Sequence, residues 1–390
     1  MNKIDNEVFN ISRVTIRVLE PAKTVFPFQD ATMGPFPSFG LAVITLEDEE
    51  GNQGESPVYS SYNNILETCL LPILLHSKNL PYHMLHQRLY WSIRNEGFRG
   101  AAAALLGQID IALHDLAARK TKQPLHRYLG AHRNEVKVYG SGGGTNYSLK
   151  ELEIEVAYFL KAGVDCYKMK VGKDFGTKMN EDVERVKFVR SLLGKEVRLA
   201  IDANQVWTCE QALRFIDLTA SENIAWFEEP LHSADYEQIE KLCGSTPVKI
   251  SYGESERTSR MFPTLANIGV SHLQPVPTHL GGVKEWMEVR DLAIKAGIDF
   301  SSGGYSLYTS SLMATAPENY QVEYLYSIMF GLEEYFSIQP EWKNGCFIVP
   351  EVDGLPVRID WEYCLKTNKI ISTQQWQQSD VKEYLPSVII

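Results

Sequence analysis

Three acidic residues end successive apolar runs at an equal spacing of 26 residues. They are Asp202 in IDAN, Glu228 in FEEP and Glu254 in YGES. About 26 residues accommodate one β-strand, one α-helix and two short loops, which is the repeat of a βα unit. The equal spacing therefore predicts three consecutive βα units, each of which presents a carboxylate at the same end of a parallel sheet.

The three carboxylates also predict a metal site. Carboxylates that converge on one point repel one another unless a cation lies between them. Ligation by oxygen alone favours a hard divalent ion, and Mg²⁺ suits such ligands better than Zn²⁺. We therefore expect Asp202, Glu228 and Glu254 to be the ligands of a Mg²⁺ ion.

A pair of lysines precedes the carboxylates in a segment that has the pattern of a β-strand. Along residues 164–172 (VDCYKMKVG), Lys168 and Lys170 fall on one face, while Tyr167 and Met169 fall on the other. Two ammonium groups that lie close together disfavour each other's charge, which lowers the pKa of at least one of them. A lysine with a lowered pKa can act as a general base near neutral pH. The K-x-K pattern alone is more typical of a solvated strand, but the carboxylates that follow favour the catalytic interpretation.

Short apolar runs alternate with helical stretches from about residue 135 to about residue 330. Runs such as VKVYGS, VRLAIDA and IDFSS are typical of strands, and stretches such as VKEWMEVRDLAIKAG are typical of helices. Seven or eight βα units in succession predict a closed parallel barrel rather than an open sheet. In such barrels the chemistry lies at the C-terminal ends of the strands, where the lysines and the carboxylates fall.

The region before residue 135 has a different, α+β pattern. Residues 11–20 and 39–47 alternate like strands, and residues 24–38 (TVFPFQDATMGPFPS) are predicted to form a long loop because they are rich in proline and aromatic residues. Helical patterns follow near residues 63–76, 80–93 and 101–120.

Composition and charge limit the partners of the chain. The formal net charge of −11 argues against nucleic acid or an anionic membrane, although a bound cation and two lysines would still attract an anionic substrate. The six cysteines are scattered without a C-x-x-C pair, and we expect reduced thiols in a cytoplasmic protein. The first ten residues lack the apolar run of a signal peptide, and no stretch approaches 18 apolar residues, so no membrane span is predicted.

The chain resembles the enolase superfamily, in its mandelate racemase and muconate lactonizing branch, over nearly its full length. The motifs that carry the resemblance are KMK, IDANQVW, FEEP, GES, LQP followed by LGG, and the closing VPEVDGLPVRID. The resemblance implies an α/β fold in which a modified (β/α)₇β TIM-like barrel lies under an α+β capping domain. Residues 1–130 would form the capping domain, residues 131–330 the barrel, and residues 331–390 a segment that packs back on the capping domain.

The resemblance also implies a chemistry, which is abstraction of a proton α to a carboxylate while Mg²⁺ stabilises the developing negative charge. Lys170 is expected to be the base, and Lys168 to lower its pKa and to contact the substrate carboxylate. Glu323 in QVEYL matches the position of an acid that hydrogen-bonds to that carboxylate, although a glutamate near a strand end is otherwise an ordinary surface residue. Gln274 in LQP is expected to contact the substrate. Asn204 is expected to contact the substrate or a metal-bound water, because it lies on the same face of the strand as the aspartate of IDAN.

The chain departs from this branch of the superfamily on the side opposite the lysines. Relatives of the mandelate racemase type carry an aspartate on the sixth strand and a histidine on the seventh, and here Val276 and Gly303 stand at or near those positions. The lysine that the muconate lactonizing alternative needs near residue 276 is also absent, since Lys284 lies past a Gly-Gly turn. A two-base racemase is therefore disfavoured. Lys170 alone could still remove the α-proton and then protonate a β-hydroxyl that leaves on the same face, which is a syn dehydration.

Another acid could come from the loops after the sixth and seventh strands. His279, Tyr305 and Tyr308 lie there, and Tyr305 is preferred because it follows a Gly-Gly turn that could bring its hydroxyl to the site. A tyrosine or histidine in a loop is more often structural. Substrate specificity is expected from loops 23–38 and 57–63, whose mixture of aromatic and polar residues suits a polyhydroxy acid.

Three functions remain open on the sequence. The leading hypothesis is a Mg²⁺-dependent acid-sugar dehydratase, a lyase that converts a small-molecule carboxylate into a 2-keto-3-deoxy acid. The second is a Mg²⁺-dependent cycloisomerase or epimerase of a carboxylate substrate. The third is a family member that binds a carboxylate without turning it over. The missing acid–base pair favours this hypothesis, whereas the intact lysines and metal ligands argue against it. A homo-oligomer is expected by analogy alone.

Overall fold

The computed structural model describes residues 3–383 of the chain. The N-terminal part is built on an antiparallel sheet. The strands of this part are β1 (Val8–Phe9), β2 (Ile11–Leu19), β3 (Ala22–Phe28), β4 (Phe36–Phe39), β5 (Ala42–Asp48), β6 (Gln53–Pro57) and β7 (Leu80–Pro81). Its helices are α1 (Asn63–Ile65), α2 (Leu71–His76), α3 (Tyr82–Ser92), α4 (Ala101–Lys120) and α5 (Leu125–Tyr128). The sheet joins β6, β5 and β2 to a strand at Ile370–Gln377, late in the chain.

Helix α4 is buried on nearly all of its faces, because it lies between the N-terminal sheet and the barrel. Its sequence AAAALLGQIDIALHDLAARK combines strong helix formers with an apolar surface on every side. Among the described residues, this helix is long and apolar enough to cross a membrane by length and composition, but 94% of its most apolar window is buried inside the protein. Its apolar character is therefore that of a core helix.

Between residues 135 and 325, eight parallel strands close into a barrel. The strands are β8 (Glu135–Gly142), β9 (Cys166–Lys170), β10 (Arg198–Asp202), β11 (Ile224–Glu228), β12 (Ile250–Tyr252), β13 (His272–Leu273), β14 (Asp299–Ser302) and β15 (Gln321–Leu325). The helices that follow the first seven of them are α6 (Leu149–Ala162), α7 (Met179–Leu193), α8 (Cys209–Leu218), α9 (Tyr236–Ser245), α10 (Phe262–Asn267), α11 (Val283–Ala296) and α12 (Ser306–Met313). Strand β15 pairs with β8 and closes the ring, so the predicted modified (β/α)₇β barrel is confirmed.

The alternation of side chains along each strand separates the barrel interior from the outer helices. In β9, Tyr167 packs against Phe159 of α6 with the ring centroids 5.6 Å apart, so this face points outward. Cys166 lies on the other face and packs with Tyr139 and Trp226 inside the barrel. The two lysines of β9 share the face of this cysteine because side chains alternate along a strand.

Helix α4 holds the N-terminal part on the barrel through the loop after β13. Asp110 Oδ2 accepts the N–H of Val283 at 2.8 Å, at the start of α11. A side chain at Gly107 would place its Cβ 1.8 Å from the carbonyl oxygen of Leu280. The glycine therefore lets the helix and the loop approach each other more closely than any other residue would allow.

The chain after the barrel returns to both parts of the structure. Its elements are α13 (Tyr326–Leu332), β16 (Phe336–Ile338), β17 (Glu341–Lys343), β18 (Cys346–Ile348), β19 (Arg358–Ile359), α14 (Trp361–Lys366) and β20 (Ile370–Gln377). Strand β18 pairs with β8 of the barrel, whereas β20 lies beside β2 in the N-terminal sheet.

Two predictions for the N-terminal part are wrong in detail. The predicted loop at residues 24–38 is largely a hairpin, because β3 and β4 pair with each other. Proline in this segment favoured a loop, yet proline is also compatible with the edge positions of a two-stranded hairpin. The helix predicted over residues 63–76 is divided into α1 and α2 by a π-helical turn at Leu66–Leu70.

We expect Gly107→Ala to lower the free energy of unfolding by about 1–3 kcal/mol, because the new methyl group would meet a backbone carbonyl that cannot yield as a side chain would. Gly244→Ala is the matched control, since Gly244 lies in α9 and its added Cβ would have no heavy atom within 4 Å. That variant should gain up to about 1 kcal/mol from helix propensity. Denaturant unfolding compares the two variants, and equal stability would contradict the close approach of α4 to the loop.

Candidate active site

Three carboxylates meet at the C-terminal ends of neighbouring barrel strands. Asp202 ends β10 and Glu228 ends β11, and the two residues are paired in register. Glu254 lies two residues beyond the end of β12. One oxygen of each carboxylate lies within 4.8 Å of the others. The structure therefore brings together three side chains that are widely separated in the sequence.

The cluster carries more negative charge than its lysines can offset. Asp202, Glu228, Glu254 and Glu323 would bring four negative charges against two positive ones. Burial first, and then repulsion by neighbouring carboxylates, raises the pKa of Glu228 and of Glu254 to about 8. Two excess negative charges and a donor set made of oxygen atoms fit one hard divalent cation such as Mg²⁺.

Both lysines of β9 lie inside the barrel against these carboxylates. Lys168 Nζ lies 2.6 Å from Glu228 Oε2 and 2.7 Å from Glu323 Oε1. It also lies 3.5 Å from Asp202 Oδ2, to which Lys170 Nζ donates a hydrogen bond. The side chain of Lys168 is 1% exposed and that of Lys170 is 8% exposed, so water screens these ion pairs only weakly.

The predicted lowering of a lysine pKa is wrong for these side chains. Burial disfavours the charge of each lysine, and Lys168 in addition lowers the pKa of Lys170. Burial is the largest single effect, but the attraction of Glu228, Glu323 and Asp202 for Lys168, and of Asp202, Glu254 and Glu228 for Lys170, together outweighs it, so both pKa values lie above the ordinary value. The sequence predicts that the lysines and the carboxylates lie at the same end of the barrel, but it does not give the distances that decide which effect on the lysine pKa is larger.

A buried ion pair on α7 supports the strand end that carries the lysines. Arg185 Nη1 donates to the carbonyl of Lys170 at 3.0 Å and to Asp182 Oδ1 at 2.8 Å. Arg185 Nη2 donates to two carbonyls in the loop after β8, both at 2.7 Å. Asp182 Oδ2 accepts two backbone N–H groups just beyond the strand, both at 2.9 Å. The pair therefore fixes the backbone at the point from which Lys170 projects.

The β3–β4 hairpin is held on the loop that follows β8. Thr145 Oγ1 donates to the carbonyl of Asp30 at 2.7 Å. The rings of Phe26 and Phe28 pack edge-on against Tyr147, with centroids 5.5 and 6.3 Å apart. These two aromatic residues of the expected specificity loop therefore contribute to packing.

The two predicted substrate contacts lie in different settings. Asn204 is in a left-handed turn with φ of 42°, rather than on the strand as predicted, and its N–H donates to Asp202 Oδ1 at 2.9 Å. Its buried side-chain oxygen has no hydrogen-bond partner within residues 3–383. Gln274 lies in the barrel interior, where its Oε1 accepts from Ser251 and its Nε2 donates to the Tyr139 hydroxyl at 3.2 Å. Of Asn204 and Gln274, only Asn204 therefore has a side-chain oxygen without a hydrogen-bond partner in the described part of the chain.

The strand ends opposite the lysines carry no acid or base at the two positions where relatives place one. A Cβ at Gly303 would lie 2.3 Å from Glu323 Oε2, so a side chain there would require the carboxylate to move. Val276 is buried, and its Cγ1 lies 2.6 Å from the position of a Cβ on Gly304. The side chain of Val276 and the carboxylate of Glu323 therefore occupy the space where relatives have the aspartate and the histidine.

Tyr305 lies in the turn after β14. It directly precedes α12, and its ring lies 6.3 Å from the ring of Tyr308. Burial, and then the neighbouring Tyr59, raises the pKa of the Tyr305 phenol above its ordinary value. In the described part of the chain, no hydrogen bond or ion pair joins Tyr305 to the lysines or to the carboxylates.

The contact between His279 and Glu254 was not predictable from the sequence. His279 Nδ1 lies 2.8 Å from the carbonyl oxygen of Glu254, and since a carbonyl can only accept, Nδ1 carries the proton and Nε2 is left as an acceptor. Burial and then Arg257 lower the pKa of His279 to about 4, so the imidazole is neutral. Tyr59, from the loop at 57–63, lies with its ring 6.0 Å from His279. Only the fold brings these two loops together.

Comparison with known proteins agrees with this arrangement. Residues 151–363 match the family model described as Enolase C-terminal domain-like. An arabinonate dehydratase from Saccharolobus solfataricus is 29% identical over 81% of this chain and 87% of its own. A 3,6-anhydro-alpha-L-galactonate cycloisomerase from Streptomyces coelicolor is 27% identical over 85% of this chain and 92% of its own. A racemase from Streptomyces coelicolor, solved with bound magnesium, superposes with a TM-score of 0.84 and 25% identity over 91% of this chain and 99% of its own.

A lysine pair and three carboxylates that could hold a metal ion lie at the C-terminal end of a modified barrel, the arrangement of an enzyme-type fold. The chain belongs to the enolase superfamily, among proteins of the mandelate racemase and muconate lactonizing type. Its relatives are acid-sugar dehydratases, cycloisomerases and epimerases. Because these relatives include both lyases and isomerases, the residues of this chain's own site must distinguish the two classes.

We expect Glu254→Gln to weaken Mg²⁺ binding by at least about 100-fold, because the loss of a ligand should exceed the 10- to 100-fold effect of residues that only orient ligands. Glu256→Gln is the matched control two residues away, since Glu256 lies outside the cluster and accepts a hydrogen bond from Tyr236 at 3.4 Å. Isothermal titration calorimetry with MgCl₂ measures both affinities. Similar affinities in the two variants would contradict the assignment of Glu254.

We expect Arg185→Met to lower the free energy of unfolding by about 3–5 kcal/mol, because the change leaves the buried carboxylate of Asp182 without its charged partner. Lys187→Met is the control on the same helix, since the exposed pair between Lys187 and Glu184 should contribute less than about 1 kcal/mol. Chemical denaturation measures both effects. Equal losses in the two variants would show that the Arg185 network does not stabilise the strand end.

Proposed function

We propose that this protein is a Mg²⁺-dependent enzyme that removes a proton α to a carboxylate group. Within that chemistry we propose the dehydration of an acid sugar to a 2-keto-3-deoxy acid, a carbon–oxygen lyase reaction. The observation that carries the proposal is the convergence of a buried lysine pair with three carboxylates in one cluster, with no base at positions 276 and 303 on the opposite side.

The carboxylate cluster is the proposed metal site. Asp202, Glu228 and Glu254 would hold the ion, and the unpartnered Oδ1 of Asn204 is available beside them. When bound, Mg²⁺ supplies the positive charge that stabilises the second negative charge on the deprotonated carboxylate substrate. The excess negative charge of the cluster supports this assignment, because it favours a divalent cation over a monovalent one.

Lys170 is the proposed base. It lies at the end of β9, where it is more exposed than Lys168 and is hydrogen-bonded to Asp202. Asp202 must pair with another cation before Lys170 can lose its proton, because their attraction raises the pKa of the lysine. Lys168 is held between Glu228 and Glu323 and stays charged, so we propose that it attracts the substrate carboxylate, with Glu323 beside it.

A single base suffices for a syn dehydration. Lys170 takes the α-proton, the electrons of the broken C–H bond form a carbon–carbon double bond, and the bond from the β-carbon to its hydroxyl breaks. The ammonium group of Lys170 returns a proton to the departing hydroxyl, which leaves as water, and the enol tautomerises to the 2-keto-3-deoxy acid. Tyr305 is the alternative proton donor, because burial keeps its phenol protonated.

An isomerase is the second candidate, and the position of His279 favours it. An epimerase or racemase needs a base on each face of the substrate carbon. His279 is neutral and contacts the backbone of the proposed ligand Glu254, and its Nε2 has no hydrogen-bond partner among residues 3–383. In a cycloisomerase or epimerase of a sugar acid it would supply the second acid–base group.

Proton NMR in D₂O, with Mg²⁺ and pooled mono- and diacid sugars, tests the proposal and separates the candidates. A keto-deoxy product that has lost water would support the dehydratase. A product of unchanged mass would favour the isomerase. Tight, Mg²⁺-dependent ligand binding without turnover or α-proton exchange would contradict both and would favour a carboxylate-binding protein.

We expect Lys170→Ala to reduce turnover and α-proton exchange by about 10²- to 10⁴-fold, the range of general acid–base catalysis. Lys173→Ala is the matched control, because the side chain of Lys173 lies near the surface and pairs with Glu181 at 2.8 Å. Exchange is followed by NMR in D₂O, and circular dichroism verifies that both variants fold. Turnover retained by Lys170→Ala would overturn the assignment of the base.

A further inference from the structure

An arginine and a histidine meet at the backbone of the proposed metal ligand Glu254. Arg257 Nη1 donates to the carbonyl oxygen of Glu254 at 2.9 Å, and His279 Nδ1 donates to the same oxygen at 2.8 Å. The carboxylate of Glu254 belongs to the cluster, so the two side chains lie beside the cluster and are joined to it through a single residue. Glu254, Arg257 and His279 are all half-buried, so a ligand can reach them.

The loop at residues 57–63 of the N-terminal part also reaches this position. The ring of Tyr59 lies 6.0 Å from the ring of His279, and the N–H of Tyr59 donates to Gln108 Oε1 of α4 at 2.9 Å. Burial raises the pKa of Tyr59, and the positive charge of Arg257 is among the effects that oppose the increase. The loop that is expected to set substrate specificity is therefore next to the arginine.

The charge of Arg257 has no carboxylate within ion-pair distance among residues 3–383. Its hydrogen bonds go to the carbonyl oxygens of Glu254 and Glu256, which are uncharged acceptors. Burial raises the pKa of the Glu256 carboxyl, and Arg99 opposes this increase more strongly than Arg257 does. A guanidinium carries five N–H donors, which is more than these two contacts use. Arg257 therefore keeps both positive charge and N–H groups for an anion.

The other two cations of the site already have partners and roles. Lys168 lies between Glu228 and Glu323, and Lys170 donates to Asp202. In the proposed function, Lys168 attracts the reacting carboxylate and Lys170 takes the α-proton. A second carboxylate on the substrate would therefore need a further cation, and a guanidinium suits this task because its planar fork binds a carboxylate through two parallel hydrogen bonds.

We propose that Arg257 binds a second carboxylate at the far end of the substrate, and that the substrate is a diacid sugar rather than a monoacid. The inference rests on the proposed function, because that function places the reacting carboxylate at the cluster. His279 Nε2 is an acceptor beside the arginine, and it accepts a hydroxyl of the sugar chain. A diacid thus meets a cation at each end, whereas a monoacid leaves Arg257 without an anion.

The test uses pairs of acid sugars that differ only in the second carboxylate. The Mg²⁺-loaded protein is given galactarate or galactonate in one pair, and glucarate or gluconate in the other. Turnover gives kcat/KM, and isothermal titration calorimetry gives the dissociation constant. In at least one pair we expect the diacid to be preferred by about 10- to 100-fold, the effect of hydrogen bonds to charged groups.

A variant of the arginine supplies the second arm of the test. Arg257→Gln should lower kcat/KM for the preferred diacid by about 10- to 100-fold, because the charged contact is lost. The value for the matching monoacid should change little, since a monoacid makes no such contact. Arg260→Gln is the matched control, because Arg260 is an exposed arginine three residues further along the chain, and it should leave both values unchanged.

Three outcomes would overturn the assignment of Arg257. Equal losses for the diacid and the monoacid in Arg257→Gln would show that the arginine only supports the backbone of Glu254. A preference for the diacid that persists in this variant would place the second carboxylate elsewhere. A wild-type protein that prefers the diacid in neither pair would show that no second carboxylate is recognised.

Failure of the proposed function gives a different result. If none of the four acids yields a keto-deoxy product, the dehydratase assignment fails, and the dissociation constants alone then decide on Arg257. Tighter binding of a diacid than of its monoacid, lost in Arg257→Gln and kept in Arg260→Gln, would still support the assignment. Equal dissociation constants within each pair would overturn it.

Discussion

Charge compensation inside the barrel is the interaction on which the rest of this structure depends. Four carboxylates and two ammonium groups lie together at one end of the barrel, where little water screens them. The lysines offset half of the negative charge, and burial first, with repulsion by neighbouring carboxylates added to it, raises the pKa of Glu228 and of Glu254. One divalent cation would balance the cluster, and a substrate carboxylate would then enter a site that no longer repels it.

The fold holds these groups together through contacts that extend well beyond the cluster. The parallel register of β9, β10 and β11 sets Lys170, Asp202 and Glu228 side by side. Arg185 joins the end of β9 to the loop after β8, and that loop in turn holds the β3–β4 hairpin. On another side, Asp110 of α4 fixes the start of α11 after the loop that contains His279. The N-terminal part is thus hydrogen-bonded to the end of the barrel that carries the carboxylate cluster.

Features with a regular local period could be predicted from the sequence, whereas features that depend on contacts between distant segments could not. The equal spacing of Asp202, Glu228 and Glu254 predicted their convergence, because each βα unit returns the chain to the same edge of the sheet. The direction of the lysine pKa shift could not be predicted, because it depends on individual distances, such as the 2.6 Å between Lys168 Nζ and Glu228 Oε2, that the spacing of the strands does not give. The hairpin within residues 24–38 was missed because proline-rich segments are compatible with both loops and edge strands.

A divalent cation in the carboxylate cluster is the centre of this interpretation, and X-ray crystallography with Mn²⁺ tests it most directly. Mn²⁺ scatters anomalously and accepts the same oxygen ligands as Mg²⁺. The predicted result is one anomalous peak within bonding distance of a carboxylate oxygen from each of Asp202, Glu228 and Glu254. A map without a peak at this position, in crystals where the lysines keep their carboxylate partners, would contradict it.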